Sequence, residues 1–154
     1  MDRVEALDPT SRALVPVLRN FVAAFLAPDS MGWRHAFAAA VGTWGEARGL
    51  ALAHLCQEFV YALLQSRPVP LAFADPMDLD ARATLTLDER TVLALLLAMS
   101  RDEPARARAR DLIAKLTGGR VEAAVVRTGL ALAARLDPVS DHRPVARPKL
   151  QLVG

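Results

Sequence analysis

The sequence predicts an all-α protein, a single-domain bundle of five or six helices packed around a buried central helix at about residues 87–100. Three observations predict this class. Apolar residues make up 53% of the 154 residues and aromatic residues only 5%, so the apolar content is mostly alanine, leucine and valine, of which the first two favour helices. The apolar positions recur at helical spacing. No segment of the sequence sustains the alternation that is typical of a strand.

The first helix is predicted over about residues 14–26. Its apolar side chains are Leu14, Leu18, Phe21 and Phe25. These four share one face, which places Arg19 and Asn20 on the opposite, polar side. A proline is tolerated in the first turn of a helix, where its missing N–H costs nothing, so Pro16 indicates that the helix begins just before it. A short second helix ends at about Val41.

Two segments have the pattern of a capping box, in which a threonine and the glutamate three residues later each accept the other's backbone N–H. The first, Thr43-Trp44-Gly45-Glu46, predicts the start of a long helix that ends at about Ser66. Residues 67–84 contain three prolines and a cluster of aspartates, which indicate a long connection. The second box, Thr86-Leu87-Asp88-Glu89, predicts the start of the central helix, which is apolar on every side and should be surrounded by other helices.

The C-terminal part of the chain contains two further predicted helices and a tail. One helix covers residues 104–117 and ends at Gly118-Gly119, because glycine readily adopts the left-handed conformation that ends a helix. The other covers residues 120–136. Residues 137–154 contain three prolines and no apolar face, so we expect a flexible, proline-containing basic tail. The helical domain therefore comprises residues 1–136.

The sequence indicates a cytoplasmic protein that does not insert into a membrane. One cysteine cannot form an internal disulfide, and Cys56 falls among aliphatic residues, where a thiol is buried and inert. The N-terminus lacks the basic and apolar regions of a secretory leader. The longest uninterrupted apolar run, residues 92–99, is far shorter than the roughly 18–20 residues that a membrane span requires.

The sequence predicts a non-enzymatic protein without catalytic residues, metal or cofactor. It contains neither the Gly-x-Ser-x-Gly motif of serine hydrolases nor the glycine-rich loops that bind phosphate groups. His54 and Glu58 are four residues apart and would share a helix face, as two ligands of one metal ion do. A usable metal site needs a third or fourth ligand, which no spacing in the sequence indicates.

One functional alternative, the third, is a small-molecule sensor with a pocket near the 43–66 helix. Its candidate ligand-binding residues are Trp44, Arg48, His54, Glu58 and Tyr61. His54, Glu58 and Tyr61 form a polar stripe, which is equally the solvent-facing side of an amphipathic helix. Arg48 falls on the apolar side of the same helix. There its guanidinium either pairs with an acid of another helix or extends to solvent.

The second alternative is a DNA-binding regulator, because the basic residues are concentrated in the C-terminal half. Residues 1–80 have a net charge of −3 and residues 81–154 a net charge of +5. The 104–117 helix would act as the recognition helix and the tail as a basic arm on phosphates. The candidate nucleic-acid-binding residues are Arg106, Arg110, Arg143, Arg147 and Lys149. A solvated basic face would explain the same charges.

The leading interpretation is a regulatory or adaptor module that acts through helix-mediated protein–protein contacts. The last predicted helix has two apolar faces, one of Val121, Val125, Leu132 and Leu136 and the other of Val126, Leu130 and Ala133. Such a helix near the end of a chain is either deeply buried or covers a partner. The partner is another protein or a second copy of the chain. The candidate partner-binding residues are Val126, Leu130, Ala133 and, as a separate anchor, Trp33.

Overall fold

The computed structural model describes residues 2–101 and 107–136 in full and the backbone alone of residues 103–106. The described residues form six α-helices and no β-strand, so the predicted all-α bundle is confirmed. The helices are α1 (Pro9–Leu26), α2 (Gly32–Trp44), α3 (Glu46–Gln65), α4 (Leu87–Met99), α5 (Glu103–Thr117) and α6 (Ala123–Ala133). Among these described helices, none combines the length and the apolarity that crossing a membrane requires.

The helices pack as two connected groups. Helices α1, α2 and α3 pack against one another, α4 packs against α5 and α6, and α3 also packs against α6, which joins the groups. Fully buried side chains come from both groups, for example Phe21, Phe59 and Leu95. Helix α4 buries most of its side chains, as expected, but Leu97 is 46% exposed. The core is therefore built from both groups, and α4 is not enclosed on every side.

Helix α1 begins earlier than predicted, at Pro9. Asp8 is its N-cap, and the Asp8 carboxylate accepts a hydrogen bond from the backbone N–H of Ser11 at 3.0 Å. The prediction that Pro16 lies in the first turn is wrong, because the cap and the proline that follows it provide an earlier start. Asn20, expected on the polar side, is buried and donates from its amide nitrogen to the Pro16 carbonyl at 2.8 Å.

A buried ion pair holds the connection between α3 and α4 (residues 67–86) against the bundle. Arg19, also expected on the polar side of α1, is 3% exposed. It donates two hydrogen bonds to the carboxylate of Glu89, at 2.7 and 2.9 Å. It donates two more to the main-chain carbonyls of Arg82 and Thr84, at 3.0 and 2.6 Å. Helical periodicity assigned Arg19 to solvent because its partner lies in a distant part of the chain.

Of the two predicted capping boxes, the second is confirmed and the first is wrong. The backbone N–H of Glu89 donates to the Thr86 hydroxyl at 3.1 Å, and that of Thr86 donates to the Glu89 carboxylate at 2.9 Å. Thr43 instead lies inside α2, where its hydroxyl donates to the Ala39 carbonyl. Helix α2 continues through Gly42 and Thr43 to Trp44, and Gly45, with φ 84°, ends it and becomes the N-cap of α3.

The end of α5 agrees with the sequence prediction, whereas the start of α6 does not. Helix α5 ends as predicted at Gly118-Gly119, where the second glycine has φ 103° and donates its N–H to the Ala114 carbonyl at 2.8 Å. Helix α6 is shorter than predicted, because residues 120–122 are not helical. Val121 therefore precedes the helix. The predicted tail, residues 137–154, lies outside the described residues.

Candidate functional site

A groove lies between α5 and α6. Both helices pack against α4, but within the described residues they have few contacts with each other. The space left between them has a volume of about 630 Å³. Its lining includes the buried side chains of Met99 and Ile113 and the more accessible side chains of Val121, Val126 and Leu130. We call this feature the α5–α6 groove.

The position of α6 beside the groove depends on Gly129. A Cβ atom at this buried glycine would lie 2.7 Å from Met99 Sδ and 3.1 Å from Phe59 Cε2. The absence of a side chain therefore lets α6 approach α3 and α4 closely. Val126 and Leu130 are displaced around the helix from this tightly packed side, and they line the groove.

The apolar side chains of the α5–α6 groove are accessible to a partner. Val121 is 51% and Leu130 is 38% exposed, and Val126 is half-buried. Val121 was not among the predicted contact residues, because the wheel drawn from residue 120 places it with the buried face. Val121 instead lies before the first residue of α6, Ala123, so its side chain does not follow the helical spacing of the buried face. No capping signal marks the later start, because Glu122 at the N-cap of α6 makes no side-chain cap hydrogen bond.

The structure places two of the four predicted partner-binding residues in the groove. Val126 and Leu130 line it. Ala133 is only 3% exposed, because the last turn of α6 packs into the core, so the expectation that it contacts a partner is corrected. Trp33 is 48% exposed but lies on α2, which packs against α1 and α3. Trp33 therefore belongs to a different surface.

Arg110 and Asp111 of α5 form the polar rim of the groove. Both are exposed, as are Arg108 and Lys115 on the same helix. The structure thus brings a residue of the predicted DNA-binding set next to the apolar residues of the predicted partner-binding set. The structure does not describe the side chains of the other candidate nucleic-acid-binding residues, which are Arg106, Arg143, Arg147 and Lys149.

The residues of the predicted small-molecule site do not form one pocket. His54 and Glu58 are exposed on α3, and Tyr61, which is 50% exposed, packs its ring 5.5 Å from that of Phe25. No group of three or more His, Cys, Asp and Glu side chains within the described residues could hold a metal ion. The polar stripe therefore has the properties of a solvent-facing helix side.

Arg48 and Trp44 lie apart from that stripe. Arg48 is exposed and donates to the Arg135 carbonyl at the end of α6, at 3.3 Å. It lines a cavity of about 370 Å³ between α3 and the chain after α6. Its guanidinium thus reaches the surface, although the predicted wheel places Arg48 on the apolar side. Trp44 is half-buried, and its indole N–H has no hydrogen-bond partner within the described part of the chain.

Cys56 is fully buried in α3. Burial raises the pKa of its thiol to about 12, so the nucleophilic thiolate is almost absent at neutral pH. The buried environment expected from its aliphatic neighbours is present. The chemistry of a cysteine nucleophile therefore has no support at this position.

Comparison of the chain with protein-family models, curated proteins and solved structures found no match. The functional inference therefore depends on the shape and the charge of the α5–α6 groove.

Proposed function

We propose that this chain is a non-enzymatic regulatory or adaptor module that binds one helix of a partner protein in the α5–α6 groove. The observation that carries the proposal is that the α5–α6 groove, with a volume of about 630 Å³, is lined by the partly exposed apolar side chains of Val121, Val126 and Leu130. The volume lies within the range of about 300–1,000 Å³ that is typical of small-molecule clefts, so the groove can accept a few apolar side chains of a partner.

The shape of the groove favours a helix as the occupant. Helices α5 and α6 both pack on α4 but have few contacts with each other in the described residues, and an amphipathic helix can insert one row of apolar side chains between two such walls. The accessible apolar residues include Val121, which precedes α6, and Leu130 within it. Large side chains of the partner would meet small ones here, since Ala107 and Ala109 line the α5 wall.

The charge around the groove favours a partner helix with acidic residues beside its apolar row. Residues 99–136 contain eight arginines and lysines and four aspartates and glutamates. Arg110 and Asp111 stand at the groove itself and offset each other, so the excess of positive charge comes from the surrounding residues. Complementary charge speeds association and selects partners. A second copy of the chain would bring the same basic region, residues 99–136, against this one, so a different, acidic protein is the better-matched occupant.

A displayed library of amphipathic helices of about 16 residues tests the proposal. The apolar row is kept constant as leucine and the flanking positions are randomised. We expect the purified protein to enrich peptides with aspartate and glutamate at the flanks. Binding of a selected peptide, measured by fluorescence anisotropy, should weaken at least about tenfold on Val126→Asp or Leu130→Asp. The matched control is Leu50→Asp on α3, where the wild-type leucine is 44% exposed outside the groove.

Three results would overturn the proposal. The first is the absence of enriched peptides, or enrichment without acidic flanks. The second is a gel shift of random-sequence duplex DNA that is lost on Arg110→Ala and unchanged on Leu130→Asp, which would assign the basic face to DNA. The third is a dimer in light scattering that Leu130→Asp dissociates, which would assign the groove to a second copy of the chain.

A further inference from the structure

A second cavity, remote from the α5–α6 groove in the fold, lies between α1 and the 67–86 connection. It has a volume of about 360 Å³. Three arginines line it, Arg12 and Arg19 from α1 and Arg82 from the connection, and no aspartate or glutamate does. Arg12 and Arg19 are seven residues apart and so share one face of α1. A concave, carboxylate-free site with three guanidinium groups is unusual for a small helical domain, where surface arginines are mostly interspersed with acids.

The charges of two of these arginines are not neutralised within the described part of the chain. Arg19 is compensated by its buried ion pair with Glu89. Arg12 donates only to main-chain carbonyls, those of Glu5 and Leu7 at 3.1 and 2.8 Å. Both of these bonds start from Nη2, so they hold the side chain in place and leave its other nitrogens available.

Arg82 is the second uncompensated arginine. Its guanidinium makes one long hydrogen bond, 3.5 Å to the Pro76 carbonyl, and no ion pair with the described residues. Its backbone is held by Arg19, which donates to the Arg82 carbonyl at 3.0 Å. The buried ion pair thus fixes the turn that carries Arg82, which lines the same cavity as Arg12. Binding at this place would require little rearrangement of the backbone.

We propose that this cavity binds a small molecule with a phosphate or carboxylate group, held between the guanidinium groups of Arg12 and Arg82. The guanidinium of Arg82 can donate two parallel N–H groups that match the spacing of the oxygens in both anions, and Arg12, whose Nη2 is occupied, can add single hydrogen bonds from Nη1 or Nε. Val15 and Pro16 supply an apolar wall for the rest of the molecule. Asn20 also lines the cavity, and its amide oxygen can accept a hydrogen bond from a hydroxyl or amine of the ligand. This site is independent of the α5–α6 groove.

Calorimetric titration with phenyl phosphate, benzoate and inorganic phosphate at constant ionic strength tests this proposal. We expect saturable binding of phenyl phosphate or benzoate, tighter than that of inorganic phosphate because the ring occupies the apolar wall. Arg12→Gln and Arg82→Gln should each weaken binding by about tenfold or more, since each removes charge-assisted hydrogen bonds. The matched control is Arg34→Gln, which changes an exposed arginine on α2 and should leave binding unchanged.

The comparison of the two ring compounds separates the phosphate and carboxylate forms of the ligand. A second measurement does not depend on any variant: the side-chain amide resonances of Asn20 in the wild-type protein should shift on titration with the tighter-binding compound. Three results would overturn the proposal: no saturable binding, equal weakening by Arg34→Gln, or unchanged Asn20 resonances at saturation.

Discussion

The guanidinium of Arg19 lies 2.7 Å from the carboxylate of Glu89, although the two residues are 70 positions apart in the chain. Both side chains are 3% exposed. Glu89 also accepts the backbone N–H groups of Thr86 and Ala74, each at 2.9 Å, so both of its oxygens are fully used. One side chain therefore caps α4, pairs with α1 and fixes the connection that precedes α4.

We predict that Arg19→Ala lowers the free energy of unfolding by about 3–5 kcal/mol, because it leaves the Glu89 carboxylate buried without its counter-charge. Urea denaturation measures this change. The double variant Arg19→Met with Glu89→Leu removes both charges and should cost less than the sum of the two single changes. A loss below about 1 kcal/mol for Arg19→Ala would contradict a buried, fully bonded pair.

Replacing each threonine of the two predicted capping boxes by alanine should change the free energy of unfolding by different amounts. Thr86→Ala removes the side-chain acceptor at the start of α4 and should cost about 0.5–2 kcal/mol. Thr43→Ala is the matched control. Its hydroxyl donates to a carbonyl inside α2, where alanine is the better helix former, so the change should cost little or be stabilising. Equal losses in thermal denaturation would show that Thr43 also acts as a cap.

These residues show which parts of the fold local sequence signals determine. The Thr86 box and the Gly118-Gly119 end depend on neighbours within a few residues, and the structure contains both. Arg19 was assigned to solvent, because its burial depends on Glu89, which helical periodicity cannot place beside it. Val121 was assigned to the buried face of Val125 and Leu132 because the predicted helix began before it, whereas α6 begins at Ala123 and Val121 does not follow its periodicity. The candidate groove was therefore predicted only in its α6 residues.

The charge state of Asp8 provides a pH-dependent test at the start of α1. Burial raises the pKa of Asp8, but hydrogen bonds from the Ser11 side chain and from the backbone of Ser11 and Thr10 outweigh it, so this pKa lies below its ordinary value. The stabilisation from the ionised form is therefore complete above the ordinary pKa and is lost as the pH falls through the depressed pKa. The free energy of unfolding of Asp8→Asn should therefore lie below that of the wild type at neutral pH. The difference between the two proteins should become smaller as the pH falls through the depressed pKa of Asp8.

An NMR titration of the Asp8 side-chain carboxyl carbon measures this pKa directly. The midpoint should lie below that of an unperturbed aspartate and should move upwards in Ser11→Ala, which removes one of the hydrogen bonds. A wild-type midpoint at or above the ordinary value would contradict the assignment of Asp8 as an ionised N-cap.

Gly129 and Gly42 form a matched pair for close packing. Gly129→Ala would bring a Cβ within 2.7 Å of Met99 Sδ and 3.1 Å of Phe59 Cε2; the end of Met99 can shift and alanine favours the helix, so we predict a net loss of about 1 kcal/mol. Gly42→Ala in α2 has nothing within 4 Å of the added Cβ, and alanine should stabilise the helix by about 0.5–1 kcal/mol. Urea denaturation of both variants gives the comparison. A neutral or stabilising Gly129→Ala would show that α6 is not held tightly against α4.

Leu130 and Ala133 are three residues apart on α6. An aspartate at the two positions should lower the free energy of unfolding by very different amounts. Leu130→Asp places the carboxylate in the partly open groove, so we predict that the protein stays folded and loses no more than about 1 kcal/mol. Ala133→Asp buries a carboxylate in the core and should cost about 3 kcal/mol or more, since no partner is available to compensate it. Circular dichroism with urea titration separates the two outcomes. If Leu130→Asp unfolds the protein as Ala133→Asp does, Leu130 belongs to the core and the groove has no accessible apolar wall.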